Sequence, residues 1–254
     1  MRETLDQTNP VIASFASRLN RFVAEVTIEG RTEQVHVANT GRMSELLVPG
    51  ASVVLREAQN KQRKTRYDLW AVDFGGVWVC IDSRAANDVA AELLDPVRWA
   101  TESKDVAPQG GGLERALSPI VQGMTGLRRE VRVGVHRFDF VVLKGDEKAP
   151  VEVKSVNLVE CGIAKFPDAP TARGSNHVRY LSKWAKDGGE AHILFVVQRS
   201  DASRFRPNET TDPEFAAALA QAKESGVGIV AVACDVSPFD IAPIRSLPVE
   251  LERP

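Results

Sequence analysis

The chain has 254 residues, of which 43% are hydrophobic and 26% are charged, with a formal net charge of −2 at pH 7. This composition is ordinary for a globular protein, and it lacks the strongly basic character of many nucleic-acid-binding domains, although a local basic stripe is enough for binding.

No apolar run approaches the roughly 18 residues that cross a bilayer. The start of the chain is polar and interrupted by Pro10, so it does not resemble a secretory signal. Three scattered cysteines without Cys-x-x-Cys spacing argue against a zinc site or a disulfide framework, and we expect a cytoplasmic protein without membrane contact.

The first third of the chain predicts a small β-barrel. Five short segments rich in valine, isoleucine and aromatic residues lie at 21–28, 33–38, 52–57, 67–74 and 77–81. Turn residues separate them, among them Gly30, Gly41 and Gly50, and we expect Gly41 to need a positive φ. Five short strands with little helix predict an OB-like barrel over residues 1–83, with an SH3-like barrel as the alternative.

The remainder, residues 84–254, predicts an α/β domain. A helix is expected at 85–94, and a polar, glycine-rich loop at 101–113. Strands are expected at 130–135, 138–143 and 151–156, followed by a helix at 176–186, a strand at 192–198, a helix that starts at Asp212-Pro213-Glu214, and a strand at 227–234. Two fully apolar strands joined by a helix imply a parallel crossover, so the predicted sheet is mixed.

Two of these strands carry a group of charged residues. Gly145-Asp146 is typical of a tight hairpin turn, and with these as its central residues Asp139 lies opposite Glu152. Directly opposed residues have Cβ atoms roughly 5 Å apart, and Lys154 is the next residue on the same face as Glu152. The two carboxylates and the ammonium group are therefore predicted to lie together.

Such a group can serve phosphodiester hydrolysis. Two close carboxylates repel each other unless a positive charge lies between them, which Lys154 and a divalent cation would supply. Mg²⁺ accepts one or two carboxylates and keeps positions for water and phosphate oxygens, and Mn²⁺ is a possible substitute. The alternative is a solvated sheet face with a weak surface ion pair, because acid-x-Lys is common on alternating strands.

Several longer sequence blocks occur in a characteristic order. They include Arg21-Phe22-Val23-Ala24, Asn39-Thr40-Gly41, Asn87, Arg137-Phe138-Asp139-Phe140, Glu152-Val153-Lys154-Ser155, the segment from Phe166 to Gly174 (FPDAPTARG) with His177 after it, and Ser246-Leu247-Pro248. In these blocks the chain resembles the sugar fermentation stimulation protein family over nearly its whole length.

The resemblance implies an N-terminal OB-like barrel and a C-terminal domain like the restriction-endonuclease core with its PD-(D/E)xK motif. Asp139, Glu152 and Lys154 fall on the acid, acid and lysine of that motif, while Phe138 stands where the motif has proline. Such nucleases often add a glutamate from the preceding helix, for which Glu92 is the candidate. The family tends to carry an acid just before Arg-Gly, where this chain has Ala172. Its members are described as DNA-binding and as implicated in regulating sugar, notably maltose, utilisation.

Further residues are candidates for nucleic-acid binding. Lys61, Arg63, Lys64 and Arg66 precede Tyr67 and Trp70, which predicts either a phosphate-tracking groove with a stacking face or a solvated loop beside core aromatics. Arg137 shares a strand face with Asp139 and either contacts phosphate or balances the acids. Arg173 and His177 lie at the start of a helix, a position that attracts phosphate. Asn39 and Asp168 are further candidates that depend on the resemblance.

Three functions compete at this point. The first is a Mg²⁺-dependent nuclease acting on DNA, for example on single-stranded or structured ends that the barrel delivers. The second is a non-enzymatic DNA-binding regulator, and the third is a small-molecule phosphodiesterase. The joint presence of both acids and the lysine favours the first, and the sequence has no helix-turn-helix signature for reading an operator. A homodimer is compatible with this nuclease class.

Overall fold

The structure is a computed structural model that describes residues 10–60, 62–100 and 112–251. The predicted 101–113 loop therefore lies largely outside the described residues, and its last two residues, Gly112 and Leu113, begin a helix. The N-terminal strands are β1 (Val11–Asn20), β2 (Val23–Ile28), β3 (Arg31–His36), β4 (Ser52–Glu57), β5 (Tyr67–Phe74) and β6 (Val77–Cys80).

Strands β1 to β5 form a closed barrel. Antiparallel pairing joins β3, β2, β1, β4 and β5 in that order, and a pairing of His36 with Asp68 joins β3 to β5. The predicted OB-like fold is thus confirmed. The membership of the barrel was predicted wrongly, because β1 lies in the ring between β2 and β4, and residues 77–81 contribute only the outer strand β6. Two register irregularities in β1, after Phe15 and after Arg18, break the alternation by which a strand is recognised.

The C-terminal domain contains five helices and nine strands within the described residues. The helices are α1 (Ala85–Leu93), α2 (Pro96–Ala100), α3 (Gly112–Val121), α4 (Ala172–Lys186) and α5 (Pro213–Glu224). The strands are β7 (Gly126–Val133), β8 (His136–Lys144), β9 (Glu147–Val156), β10 (Val159–Glu160), β11 (Ile163–Phe166), β12 (His192–Val197), β13 (Arg204–Pro207), β14 (Gly228–Val236) and β15 (Ile241–Leu247).

A mixed six-stranded sheet organises this domain, as predicted. Its order is β15-β14-β12-β9-β8-β7, with β9, β12 and β14 parallel and the outer pairs antiparallel. One apolar cluster packs α1 and α3 on one face, and a second packs α4 and α5 on the other. The predicted start of α5 is correct, since the carboxylate of Asp212 accepts a hydrogen bond from the Phe215 N–H at 2.9 Å.

Buried polar side chains join the barrel to the ends of β9 and β12. The Cys80 N–H donates to the Gln198 carbonyl at 3.0 Å, and the Gln198 amide donates to the Asp82 carbonyl at 2.9 Å. Asn157 donates to the Cys80 carbonyl and accepts from Asn39 at 3.2 Å. These hydrogen bonds fix the barrel beside the same strand ends that carry the candidate residues. Within the described residues, no helix is both long enough and apolar enough to span a bilayer.

Candidate functional site

The β8–β9 hairpin brings Asp139 and Glu152 together. Gly145 has a φ of +64°, and the ladder runs from Lys144 opposite Glu147 to Phe140 opposite Val151. Asp139 and Glu152 are the next residues in this register. The predicted turn and register are therefore confirmed, and they place both carboxylates on the face predicted from strand alternation.

Asp139 is held by two hydrogen bonds at the point where the ladder ends. Its Oδ2 accepts from the Val153 N–H at 2.8 Å, and its Oδ1 accepts from Asn87 of α1 at 3.2 Å. Burial raises the pKa of Asp139, and the charge of Glu152 raises it further, against the opposing effects of these donors and of Lys154. The site therefore contains a carboxyl group that an additional positive charge would stabilise in its ionised form.

Glu152 is almost completely buried and makes two close polar contacts. Its Oε1 lies 2.6 Å from Lys154 Nζ and 2.6 Å from His177 Nδ1. A carboxylate can only accept, so both nitrogens donate. Burial alone would raise the pKa of Glu152, but the hydrogen bond from His177 and the charge of Lys154 outweigh it and lower the pKa. Glu152 is therefore stabilised as a carboxylate inside the protein.

The residues around this pair fit a magnesium ion better than a metal that needs several side-chain ligands. The described part of the chain contains no group of three or more His, Cys, Asp or Glu residues arranged to hold a metal. Mg²⁺ is commonly held by one or two carboxylates with water and substrate oxygens in the remaining positions. Asp139 and Glu152 supply the two carboxylates, and the raised pKa of Asp139 is consistent with a position that favours a cation.

Asp139 and Lys154 line an open cleft of about 600 Å³ between the two domains, and Glu152 lies buried beside them. Asn87, Asp139 and Lys154 form its floor on the C-terminal domain. The barrel and the segment before α4 form its walls, through Phe22, His36, Asn39, Thr40, Gly41, Lys165, Asp168 and Thr171. The candidate residues Asn39 and Asp168 are thus brought to the same cleft as Asp139 and Lys154.

Asn39 and Asp168 hold the barrel wall of the cleft in place. The Asn39 amide donates to the Ile81 carbonyl at 3.0 Å, and its oxygen accepts from the Gly41 N–H at 2.8 Å. Gly41 is not among the residues with positive φ, so the reason predicted for this glycine was wrong. A Cβ built on Gly41 would lie 2.1 Å from Asp168 Oδ2, so the glycine is required by the close approach of that carboxylate.

Asp68 connects the barrel wall to the basic loop that precedes β5. Its carboxylate contacts His36 Nδ1 at 2.9 Å, Arg63 at 2.8 Å and Arg84 at 3.0 Å. Burial raises the pKa of Asp68, but the hydrogen bonds from Arg63 and Arg84 and the contact with His36 outweigh it and lower the pKa. His36 and Arg84 both line the cleft, so this carboxylate orders part of its rim.

Asp68→Asn is expected to destabilise the protein by about 2 kcal/mol at pH 7, because it removes a partly buried ionic acceptor from three donors. A carboxyl group with a lowered folded-state pKa stabilises fully above its unfolded pKa, here 3.8, and loses this contribution as the pH falls through the folded value. The difference from wild type should therefore stay constant from pH 7 to about pH 5 and shrink below about pH 4. Urea unfolding across this pH range measures the difference in the free energy of unfolding, and the exposed Asp187→Asn serves as control. A difference between wild type and Asp68→Asn that grows toward low pH would contradict this prediction.

The basic run before β5 is only partly presented to solvent. Arg63 is bound by Asp68, and Arg66 pairs with Glu57 at 3.2 Å, while Lys64 is exposed; Lys61 lies outside the described residues. Of the two alternatives predicted for this run, the structure has the loop beside core aromatics and not the stacking face, because Tyr67 and Trp70 are 8% and 6% exposed and belong to the apolar cores. Their rings are covered by packing and are not available to a nucleobase.

The structure places the remaining predicted site residues on different elements of the C-terminal domain. His177 is buried against Glu152 and does not face solvent. Arg137 is exposed and pairs with Glu130 at 2.8 Å, and Arg173 is exposed in the first turn of α4. Glu92 is exposed on α1 near Cys234 of β14; burial raises the pKa of that thiol, and the charge of Glu92 raises it further.

Asn87, which lines the cleft, and Arg18, which supports its barrel wall, were among the residues not predicted as site residues. Asn87 is the α1 side chain that contacts Asp139, and its position in the first turn of a helix was the available signal. Arg18 of β1 donates to the carbonyls of Arg21, Asn39, Gly41 and Arg42 at 2.6–2.9 Å, which fixes the barrel wall. Arg18 was missed together with β1, since its role depends on contacts between distant segments.

Comparison with known proteins gives a consistent result for both domains. Residues 17–81 match the family described as the SfsA N-terminal OB domain, and residues 85–240 match the sugar fermentation stimulation protein RE domain. The sugar fermentation stimulation protein homolog of Acetivibrio thermocellus is 41% identical over 94% of this chain and 96% of its own length. The homolog of Natranaerobius thermophilus is 38% identical over 94% of this chain and 93% of its own length.

A solved structure supports the same relationship. The structure described as Pyrococcus furiosus SfsA in complex with Ca²⁺ has 31% sequence identity to this chain and a TM-score of 0.80. The match covers 96% of each chain, so it includes both the barrel and the mixed-sheet domain. The chain therefore belongs to the sugar fermentation stimulation protein family.

Proposed function

We propose that this protein is a Mg²⁺-dependent nuclease that hydrolyses phosphodiester bonds of DNA. One observation carries the proposal: Asp139 and Lys154 lie on adjacent strands at a cleft between the barrel and the mixed sheet, and Lys154 pairs with the buried Glu152. Two carboxylates and a lysine meet the requirements for phosphoryl chemistry that depends on a divalent cation. The agreement of this trio with the PD-(D/E)xK motif supports the same reaction class.

Asp139 and Glu152 are the residues that would hold the cation. Carboxylate oxygens suit Mg²⁺ and Mn²⁺, and Ca²⁺ also prefers oxygen ligands. The relative from Pyrococcus furiosus is described in complex with Ca²⁺, which supports divalent-cation binding as a property of this protein as well. When bound, Mg²⁺ would polarise the phosphoryl group and favour ionisation of a water molecule.

The protein's own groups have separate tasks in this proposal. Lys154, with 13% of its side chain exposed, can place its ammonium group against the charge that develops on the phosphate. His177 keeps Glu152 oriented and ionised through its 2.6 Å contact with Oε1, the same oxygen that Lys154 contacts. Asn87 and the Val153 N–H fix the rotamer of Asp139. Each of these side chains is therefore already oriented before substrate binds.

DNA is the proposed substrate because the cleft extends onto the barrel. OB-type barrels commonly bind single-stranded nucleic acid. Arg84 has 55% of its side chain exposed and lines the cleft, and Asp68 connects it to Arg63 at the basic loop. Because Arg63 and Arg66 are neutralised by acids and the net charge is −2, we expect binding to be modest and salt-sensitive.

A second candidate is a non-enzymatic, largely non-specific DNA-binding regulator of sugar (maltose) metabolism genes. The observation that favours it is the lack of a third acidic ligand beside Asp139 and Glu152 within the described residues. In that case the barrel would bind DNA, and the trio would serve only as a buried ionic cluster.

A cleavage assay separates the two functions. Labelled single- and double-stranded DNA is incubated with the protein in Mg²⁺, in Mn²⁺ and in EDTA, beside Asp139→Ala and the exposed strand residue Asp235→Asn as control. We expect cleavage that requires metal, falls at least a hundredfold in Asp139→Ala and persists in Asp235→Asn. Equal cleavage by wild type and Asp139→Ala would exclude this site. DNA binding without cleavage in either metal would favour the regulator.

A further inference from the structure

The cleft contains one exposed aromatic ring, Phe22, among the residues that the structure describes. Phe22 lies in the turn between β1 and β2 and is 49% exposed. Within the same part of the chain, the other large apolar side chains exposed to this degree, such as Phe74 and Phe239, do not line the cleft. The ring therefore lies on the barrel wall of the cavity whose floor carries Asp139 and Lys154.

The backbone that carries this ring is rigidly held. The Phe22 N–H donates to Asn20 Oδ1 at 2.8 Å, and its carbonyl accepts from the Val37 N–H at 2.8 Å. Arg18 binds the neighbouring Arg21 carbonyl at 2.9 Å and the Asn39 carbonyl at 2.8 Å. A ring that is half-exposed on an immobilised backbone loses little conformational entropy when a flat partner stacks on it.

The charge around Phe22 suits a nucleotide. The Arg21 guanidinium lies 5.7 Å from the centre of the Phe22 ring, so a cation stands beside the aromatic face. A stacked base would place its own phosphate within reach of such a cation. Asn39, on the same barrel wall as Phe22, donates a hydrogen bond to Asn157, which follows Lys154 by three residues. The wall that carries the ring is therefore joined to the segment that carries the candidate site.

We propose that Phe22 is a stacking platform for an unpaired base of a nucleic acid strand whose backbone passes the Asp139–Lys154 site. This inference rests on the proposed function and specifies its substrate as single-stranded DNA or an unpaired end. Bases in an intact duplex are stacked on each other, so they cannot cover this ring unless one is extruded.

The test is a binding measurement by fluorescence anisotropy in EDTA, which prevents cleavage. The probes are a labelled single strand of about 12 nucleotides and a blunt duplex of similar length. The proteins are wild type, Phe22→Ala, Phe22→Trp and, as matched control, Phe239→Ala, which removes a phenylalanine that is 70% exposed outside the cleft. Thermal unfolding of each variant establishes that it is folded.

We expect Phe22→Ala to weaken single-strand binding about tenfold and to leave duplex binding unchanged, while Phe22→Trp and Phe239→Ala bind like wild type. Equal single-strand affinity of wild type and Phe22→Ala overturns the inference, and leaves the proposed function standing if wild type still cleaves DNA. Equal weakening for both probes also overturns it, because stacking acts on the unpaired strand. A wild-type protein that binds neither probe overturns the inference together with the DNA specificity of the proposed function.

Discussion

Replacing Lys154 by alanine is expected to lower the rate of Mg²⁺-dependent DNA cleavage about a thousandfold. The ammonium group of Lys154 lies 2.6 Å from Glu152 and is largely shielded from water. An electrostatic interaction is stronger in such an environment than in water. The loss should appear in kcat more than in KM, because the charge that Lys154 stabilises develops only as the phosphodiester reacts. Single-turnover cleavage of a labelled strand measures this effect.

Two variants make the Lys154 result interpretable. Lys183→Ala removes an exposed lysine from α4 and should cleave at the wild-type rate. Lys154→Arg keeps the charge but changes its geometry, so it should retain more activity than the alanine variant. Because Lys154→Ala leaves the buried Glu152 with His177 as its remaining contact, its thermal unfolding must be recorded beside the wild type. A folded Lys154→Ala protein with unchanged kcat would show that the lysine is structural.

Gly41→Ala is expected to destabilise the protein by about 3 kcal/mol, because the new methyl group would lie 2.1 Å from Asp168 Oδ2. The loop around Gly41 cannot easily move away, since Arg18 holds the Gly41 carbonyl at 2.6 Å and Asn39 holds its N–H at 2.8 Å. The strain should therefore weaken the packing of the barrel against Asp168 in the segment before α4. Urea denaturation measures the loss in the free energy of unfolding.

A double-mutant cycle isolates the contact between Gly41 and Asp168. In the Asp168→Ala background, Gly41→Ala should cost at least about 1.5 kcal/mol less than it does in the wild type. Gly126→Ala serves as control, because its new Cβ would meet Leu143 at 3.4 Å, an ordinary van der Waals distance. If Gly41→Ala is as costly with Asp168 absent as with it present, another contact must require the glycine.

The hairpin of the candidate site was predictable because its determinants are local. Gly145-Asp146 fixes the turn, and a period of two residues then decides which side chains share a face. Asp139, Glu152 and Lys154 therefore followed from about fifteen consecutive residues. The mixed sheet was predictable for a related reason, since apolar strands joined by a capped helix imply a parallel crossover.

The aromatic residues of the barrel show that a local sequence pattern does not predict which side chains are exposed. Tyr67 and Trp70 follow a basic run, which suggested a stacking face, but they pack into the cores. Phe22 belongs to one of the characteristic sequence blocks but was not predicted as a site residue, yet it is the aromatic residue that lines the cleft with an exposed ring in the described structure. Exposure depends on which strands close the barrel, and β1 was hidden by its irregular register.

The sequence by itself determined the two domains, the hairpin and the trio of Asp139, Glu152 and Lys154, because turn chemistry and strand periodicity act over a few residues. Only the tertiary structure decided the partners of that trio: His177 from α4 against Glu152, and Asn87 from α1 against Asp139. It likewise decided that Gly41 makes room for Asp168 and that Glu92 lies near Cys234. These contacts join segments 25 to 142 residues apart, for instance Asn87 with Asp139 and Gly41 with Asp168, and no short-range rule in the sequence specifies them.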